Sequence, residues 1–179
     1  MSGEYYERAI DSAAEMRELT IIRHADHFVH LVDGRKLASE ELRHRTHSIA
    51  TMFMRRCFEE QMLGSDARVD ILLTKWDIVV DCCGLDGAQD LLERFHRAFI
   101  ERFAAHVARL RVTAIAARPH YKSPLEPGFG LSELFRSWVD ELPRQLAPRM
   151  SPLIFPTAAS RPFDTFAVRE APDIFEKMS

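Results

Sequence analysis

Val69-Asp70-Ile71-Leu72-Leu73-Thr74-Lys75-Trp76-Asp77 sets a short apolar run directly against a polar tetrapeptide. Residues 69–74 have the length and aliphatic content of a buried strand. The periodicity changes on both sides of it. Upstream, Ser39-Glu40-Glu41 reads as a hydroxyl cap with first-turn acids, opening a helix that runs to about Leu63 and stops at Gly64. Its apolar stripe is Leu42, Ile49, Phe53, Met54 or Cys57, and Phe58. Downstream, residues 87–109 repeat the pattern with Leu91, Phe95, Ala98 or Phe99, Phe103 and Val107. Two more strands flank these helices: residues 27–32, closed by an Asp33-Gly34 turn, and residues 111–116.

Farther out, residues 4–22 contain no Gly or Pro and place Tyr6, Ile10, Ala13 and Ile22 at helical spacing. A Pro/Gly-rich loop at 119–130 leads to a last helix at 131–142. Residues 143–179 hold six of the nine prolines but keep Phe155, Phe163, Phe166 and Phe175, so they read as an irregular tail packed on the domain. Helices alternating with strands predict an α/β fold, a parallel sheet with helices on its faces. Three strands make a thin sheet.

A length of 179 residues fits one domain. The net charge of −3 argues against a nucleic-acid coat and against a polybasic membrane anchor. No apolar run approaches the roughly 18 residues of a membrane span, and the polar N-terminus is no secretory signal. Cys57, Cys82 and Cys83 are odd in number and two are adjacent, which implies no disulfide framework and suits a reduced, cytoplasmic setting. Of the basic residues only Lys36, Lys75, Lys122 and Lys177 are lysines.

The tetrapeptide Thr74-Lys75-Trp76-Asp77 resembles the Asn/Thr-Lys-x-Asp guanine-recognition motif of P-loop GTPases, which also follows a strand. A carboxylate at Asp77 can accept from guanine N1–H and from the exocyclic amine as a charge-assisted pair. Adenine lacks those two donors and would leave the carboxylate unpaired. The Lys75 stem can lie along the base face. The carboxyl end of a strand is where open α/β sheets bind ligands.

Three further places agree in order. Residues 25–33, Ala-Asp-His-Phe-Val-His-Leu-Val-Asp, resemble the strand before that motif. Residues 113–118, Thr-Ala-Ile-Ala-Ala-Arg, resemble the last recognition loop, whose backbone N–H contacts guanine O6; this implicates Ala116, Ala117 and Arg118. Gly128-Phe129-Gly130-Leu131-Ser132-Glu133-Leu134 resembles the entry to the closing helix. The resemblance covers about residues 25–142. It is to the C-terminal half of a P-loop GTPase domain, in particular the double-GTPase type of bacterial conflict systems, where Val-Asp-Gly-x-x-Leu and Thr-Lys-Trp-Asp are typical. Ser2-Gly3-Glu4 looks like the tail of Asp-x-x-Gly-Glu, making Gly3 and Glu4 a switch remnant and residues 1–24 a switch-type helix ahead of a base-recognition half at 25–142.

The resemblance implies a three-layer P-loop-GTPase-like parallel sheet with helices on both faces, GTP or GDP with Mg²⁺ as cofactors of a complete domain, and an unidentified protein effector. The phosphate loop Gly-x-x-x-x-Gly-Lys-Ser/Thr is not in this sequence, since no glycine is followed by lysine. The chain is therefore expected to be an N-terminally truncated domain, inactive alone, with no catalytic residue, and to associate through an exposed sheet edge. Whether it acts as an enzyme is left open. The alternative is a non-enzymatic interaction module that keeps the fold.

Other candidates are weaker. His24, His27 and His30 are three apart, but that spacing puts neighbours on a strand on opposite faces, so no metal site is expected. Cys82-Cys83 is read as a loop pair, Tyr5 and Tyr6 as helix packing, and Asp33 as a turn residue or a brace for a phosphate loop. Arg118, at the family's lysine position, is either a surface arginine or a base-stacking one.

Overall fold

The computed structural model describes residues 8–25 and 27–140. Gly3, Glu4, Asp26 and the 143–179 tail lie outside the described residues.

The elements follow the expected alternation. A helical segment at 8–11 leads to α1 (Ala13–Glu18) and α2 (Thr20–Arg23). Next come β1 (His27–Asp33), α3 (Gly34–Ala38), α4 (Glu40–Glu59), β2 (Arg68–Thr74), α5 (Trp76–Phe103), β3 (Arg109–Ala114) and α6 (Leu131–Asp140). The strands form one sheet in the order β1-β2-β3, and both pairings are parallel. His27 pairs with Arg68 and Asp33 with Thr74, while Arg68 pairs with Arg109.

This register divides the strand side chains cleanly between the two faces. Phe28, His30, Val32, Val69, Ile71, Leu73, Leu110, Val112 and Ala114 face the main core with Met16, Ile22, Phe53, Met54, Phe95 and Phe99 from α1, α2, α4 and α5. The opposite face carries a smaller cluster, Leu72 with Ile115 and Leu134, which α6 covers. Helices thus lie on both faces of a thin parallel sheet. β1 ends the sheet, and Leu31 on it remains 63% exposed.

Five expectations are corrected. The single helix over 4–22 is broken within its described part. Ser12 stops one segment and caps the next, its Oγ accepting from Glu15 N–H, and Leu19 separates α1 from α2. Asp33-Gly34 is no bare turn: Asp33 caps α3 by accepting from Arg35 N–H at 3.0 Å. The helix opening at Ser39 ends at Glu59, and Leu42 lies outside the core stripe, while Phe53, Met54 and Cys57 are buried. The helix placed at 87–109 starts at Trp76 and ends at Phe103, so Cys82 and Cys83 are helical, not loop residues. Gly84 interrupts it with φ 72° and ψ 171°. The last strand also begins two residues early, at Arg109.

Candidate functional site

The carboxyl ends of the three strands gather every described residue singled out for base recognition. Thr74 ends β2 beside β1, its hydroxyl donating to Val32 O at 3.2 Å. Lys75 then takes the left-handed conformation, φ 56° and ψ 41°, and caps α5. For a residue with a Cβ this conformation costs about 1 kcal/mol. It turns the chain from strand to helix in one residue. Two contacts hold the turn. Trp76 N–H donates to Ile115 O at 3.1 Å, and the buried Trp76 ring packs into the main core. The Lys75 ammonium reaches back to Asp33 Oδ2 at 2.7 Å.

Asp33 therefore braces Lys75. Partial burial works against its charge, but the Lys75 and Arg35 contacts outweigh this and hold its carboxyl below the usual range. The close approach of α3 depends on Gly34, where a Cβ would sit 2.3 Å from Thr74 O.

Asp77 lies in the first turn of α5, not on a loop, and only 7% of it is exposed. The helix N-terminus favours a carboxylate there. Its Oδ2 accepts from the backbone N–H of His120 at 3.0 Å. That N–H belongs to the segment following β3. Ala116 forms an antiparallel bridge with Phe129, and Gly128 N–H donates to Ala117 O at 3.2 Å. These contacts tie the two ends of the 117–128 loop together. Gly130, with φ 75°, lets the loop close on Ala114 O. Ala116 is buried, whereas Ala117 and Arg118 are exposed. Beyond them His120 and Tyr121 place their rings 4.3 Å apart at the surface.

The structure thus brings Lys75, Asp77 and the 116–120 segment to one sheet edge. A carboxylate, a lysine stem and a loop of backbone donors can together read the edge of a planar base that carries adjacent N–H donors. In the described conformation one carboxylate oxygen is already engaged by the loop.

Two features were not anticipated. His120 contacts Asp77 through its backbone, which side-chain chemistry does not announce. Asp70, in mid-strand, is fully buried on the α6 face. It accepts from Arg111 Nε at 2.8 Å and Trp138 Nε1 at 2.6 Å, and His27 Nε2 lies 2.5 Å away. The only sequence signal was a carboxylate inside an apolar run, without a clue to its partners.

The histidines behave as their spacing required. His27 faces Asp70 and Trp138, while His30 lies on the opposite face against Phe53. Among the described residues no cluster of His, Cys, Asp or Glu has the arrangement of a metal site, and no helix is long and apolar enough to cross a membrane.

Comparison with known families matches residues 1–139 to the family described as Double-GTPase 2. No curated protein and no solved structure matches the chain.

Proposed function

The chain belongs to the Double-GTPase 2 family, and from that premise we propose that its 179 residues supply the base-recognition part of a guanine-nucleotide site. One observation carries the reading: Asp77 sits in the first turn of a helix that starts at the carboxyl end of the central strand, beside the loop that follows the next strand. In this reading Asp77 accepts from guanine N1–H and the exocyclic amine. Lys75, held by Asp33, lays its stem along the base. Backbone N–H groups of Ala117 and Arg118 meet guanine O6, Ala116 anchors that segment by donating its own N–H to Phe129 O at 3.0 Å, and Thr74 fixes the strand end beneath them.

A GTPase-type domain uses GTP or GDP with Mg²⁺, and most of its affinity comes from the phosphates. The residues in hand fit the base and not the metal, because neither a phosphate loop nor a carboxylate cluster for Mg²⁺ accompanies Asp77 among them. We therefore assign no hydrolytic step to these residues. Free guanine nucleotide should bind at best at millimolar concentration, about −4 kcal/mol.

The test is an amide-resolved NMR titration with GMP and with AMP. Shifts confined to residues 74–77 and 116–120, seen with GMP and not AMP, support the reading; identical responses to both nucleotides sink it. A second reading, a non-enzymatic interaction module, has its own support in the buried Asp77 carboxylate, which the His120 N–H already satisfies in part. No response to any nucleotide would favour it.

A further inference from the structure

The seam between α4 and α5 is not closed by packing. Three cavities run along it, each sharing residues with the next. The first, about 250 Å³, is lined by Leu37, Leu91 and Phe95 beneath Arg43, His44, His47 and Arg94. The second, about 470 Å³, shares His44 and His47 and adds Met52, Arg55 and Arg102. The third, also about 470 Å³, shares Arg55 and Arg102 and ends on Phe58, Phe103 and His106. From Arg43 to Glu59 the groove follows 17 residues of helix, about 24 Å.

Its floor is apolar at both ends, Leu37, Leu91 and Phe95 at one and Phe58 and Phe103 at the other, with Ser48, Thr51 and Met52 between them, and its two rims are cationic. Arg43 and Arg55 stand on α4; Arg94 and Arg102 stand on α5. Glu59 is the one lining carboxylate among the described residues, and it already holds Arg55 at 2.6 Å. Arg94 pairs with Asp90, outside the lining, and Arg43 donates to the carbonyls of Leu37 and Ala38 at 2.9 and 3.1 Å, which leaves its charge uncancelled. Burial lowers the basicity of the His47 ring, which lies edge-on against Phe95 and Phe99, and Arg102 and His44 also lie close enough to disfavour a positive charge on it. An anion placed between the rims would relieve that repulsion.

We propose that this groove is a docking surface for an acidic amphipathic helix of a partner protein. The apolar floor takes an i, i+3, i+4, i+7 stripe, and the two arginine rims pair with carboxylates on both flanks of that stripe. Nucleic acid fits less well. A phosphate backbone has nothing to lay on Leu37, Leu91, Phe95, Phe58 and Phe103, and the chain carries a net charge of −3. The groove shares no residue with the base site, so the two assignments stand or fall separately.

The test uses the full 179-residue chain and three fluorescein-labelled probes followed by anisotropy. One is a synthetic 16-residue helix with a leucine stripe flanked by glutamates; one has the same composition with the stripe scrambled; one is a 16-nucleotide oligo-dT. Expected is micromolar binding of the patterned helix, at least tenfold tighter than either control. Arg55→Glu with Arg102→Glu should weaken it at least tenfold, whereas Arg97→Glu, on α5 outside the groove, should change it less than twofold. If the reversed pair disturbs folding, seen by circular dichroism, Arg55→Gln with Arg102→Gln should still weaken binding severalfold. Equal binding of the scrambled peptide, tighter binding of oligo-dT, an equal loss with Arg97→Glu, or no binding of the patterned helix each overturns the proposal.

Discussion

The backbone N–H of His120 donates to Asp77 Oδ2 at 3.0 Å, across 43 residues of chain. The loop after β3 therefore lies over the carboxylate proposed above for base recognition. A guanine edge must compete with this contact or displace it. Removing the N–H with His120→Pro should free the carboxylate. A hydrogen bond to a charged group is worth about 1.5–3 kcal/mol net, so GMP binding should tighten by about tenfold or more. The His120 amide resonance of the unmodified chain should also move on GMP addition. Weaker binding in His120→Pro would instead show that the loop orients Asp77 for the base.

Asp70 presents a second carboxylate with the opposite purpose. Fully buried, it ties three segments: His27 on β1, Arg111 on β3 and Trp138 on α6. Burial penalises its charge, but hydrogen bonds from Arg111, Trp138 and His27 outweigh this and leave its pKa below the usual carboxylate range. The folded state thus holds the proton less tightly than the unfolded chain. The resulting stability is fully present above the ordinary carboxylate pKa and is lost as pH falls through the folded value. Asp70→Ala should destabilise by about 3 kcal/mol, since it leaves the half-buried Arg111 guanidinium without its carboxylate. Asp70→Asn should cost less and flatten the acid limb of the stability curve, measured by denaturant unfolding between pH 5 and pH 2.

His30 contributes in a different window. It is buried against Phe53, with ring centroids 5.2 Å apart and planes within 8°. Burial lowers its pKa to about 4. An unfolded histidine titrates near 6.5. Below that pH the unfolded chain binds more protons, so stability falls as pH drops from about 6.5 to about 4, by on the order of 3 kcal/mol. Ring-proton NMR should show His30 neutral at pH 6. Subtracting the stability curve of His30→Phe from that of the parent should isolate this slope; a difference that stays constant between pH 7 and pH 4 would contradict it.

The strands were legible in the residues because Val69, Ile71, Leu72 and Leu73 are buried on both faces of a central parallel strand, which demands an apolar run. The place of the candidate site in the fold was legible because Thr74-Lys75-Trp76-Asp77 is local: one left-handed residue carries all of it from strand to helix. The early part of α5 was hidden for two reasons. Ile78, Val79 and Val80 are β-branched and Gly84 breaks the helix, so propensity argued against helix there. Packing of Trp76, Val79 and Val80 into the core overrides it. The Asp70 network was hidden because its partners lie 41, 43 and 68 positions away. Only the sheet register and the seating of α6 bring them together.

Gly34 joins the fold to the site, and its substitution gives a last prediction. A Cβ there would lie 2.3 Å from Thr74 O and 3.0 Å from Val79 Cγ2. The first neighbour is strand backbone and cannot step aside, so α3 must move off the end of β2. Overpacking of this kind costs about 1–3 kcal/mol, and Gly34→Ala should reach the upper part of that range. The movement would also carry Asp33 away from the Lys75 ammonium, now at 2.7 Å. Gly64→Ala is the control. A Cβ there would meet only the Asp66 carboxylate at 2.6 Å, the far end of an exposed side chain that can turn away, so the loss should stay below about 1 kcal/mol. Thermal unfolding of both variants checks the order, and NMR of the Lys75 side chain checks the broken pair. Equal losses in the two variants, or an unchanged Lys75 signal in Gly34→Ala, would show that α3 does not position the strand-end lysine.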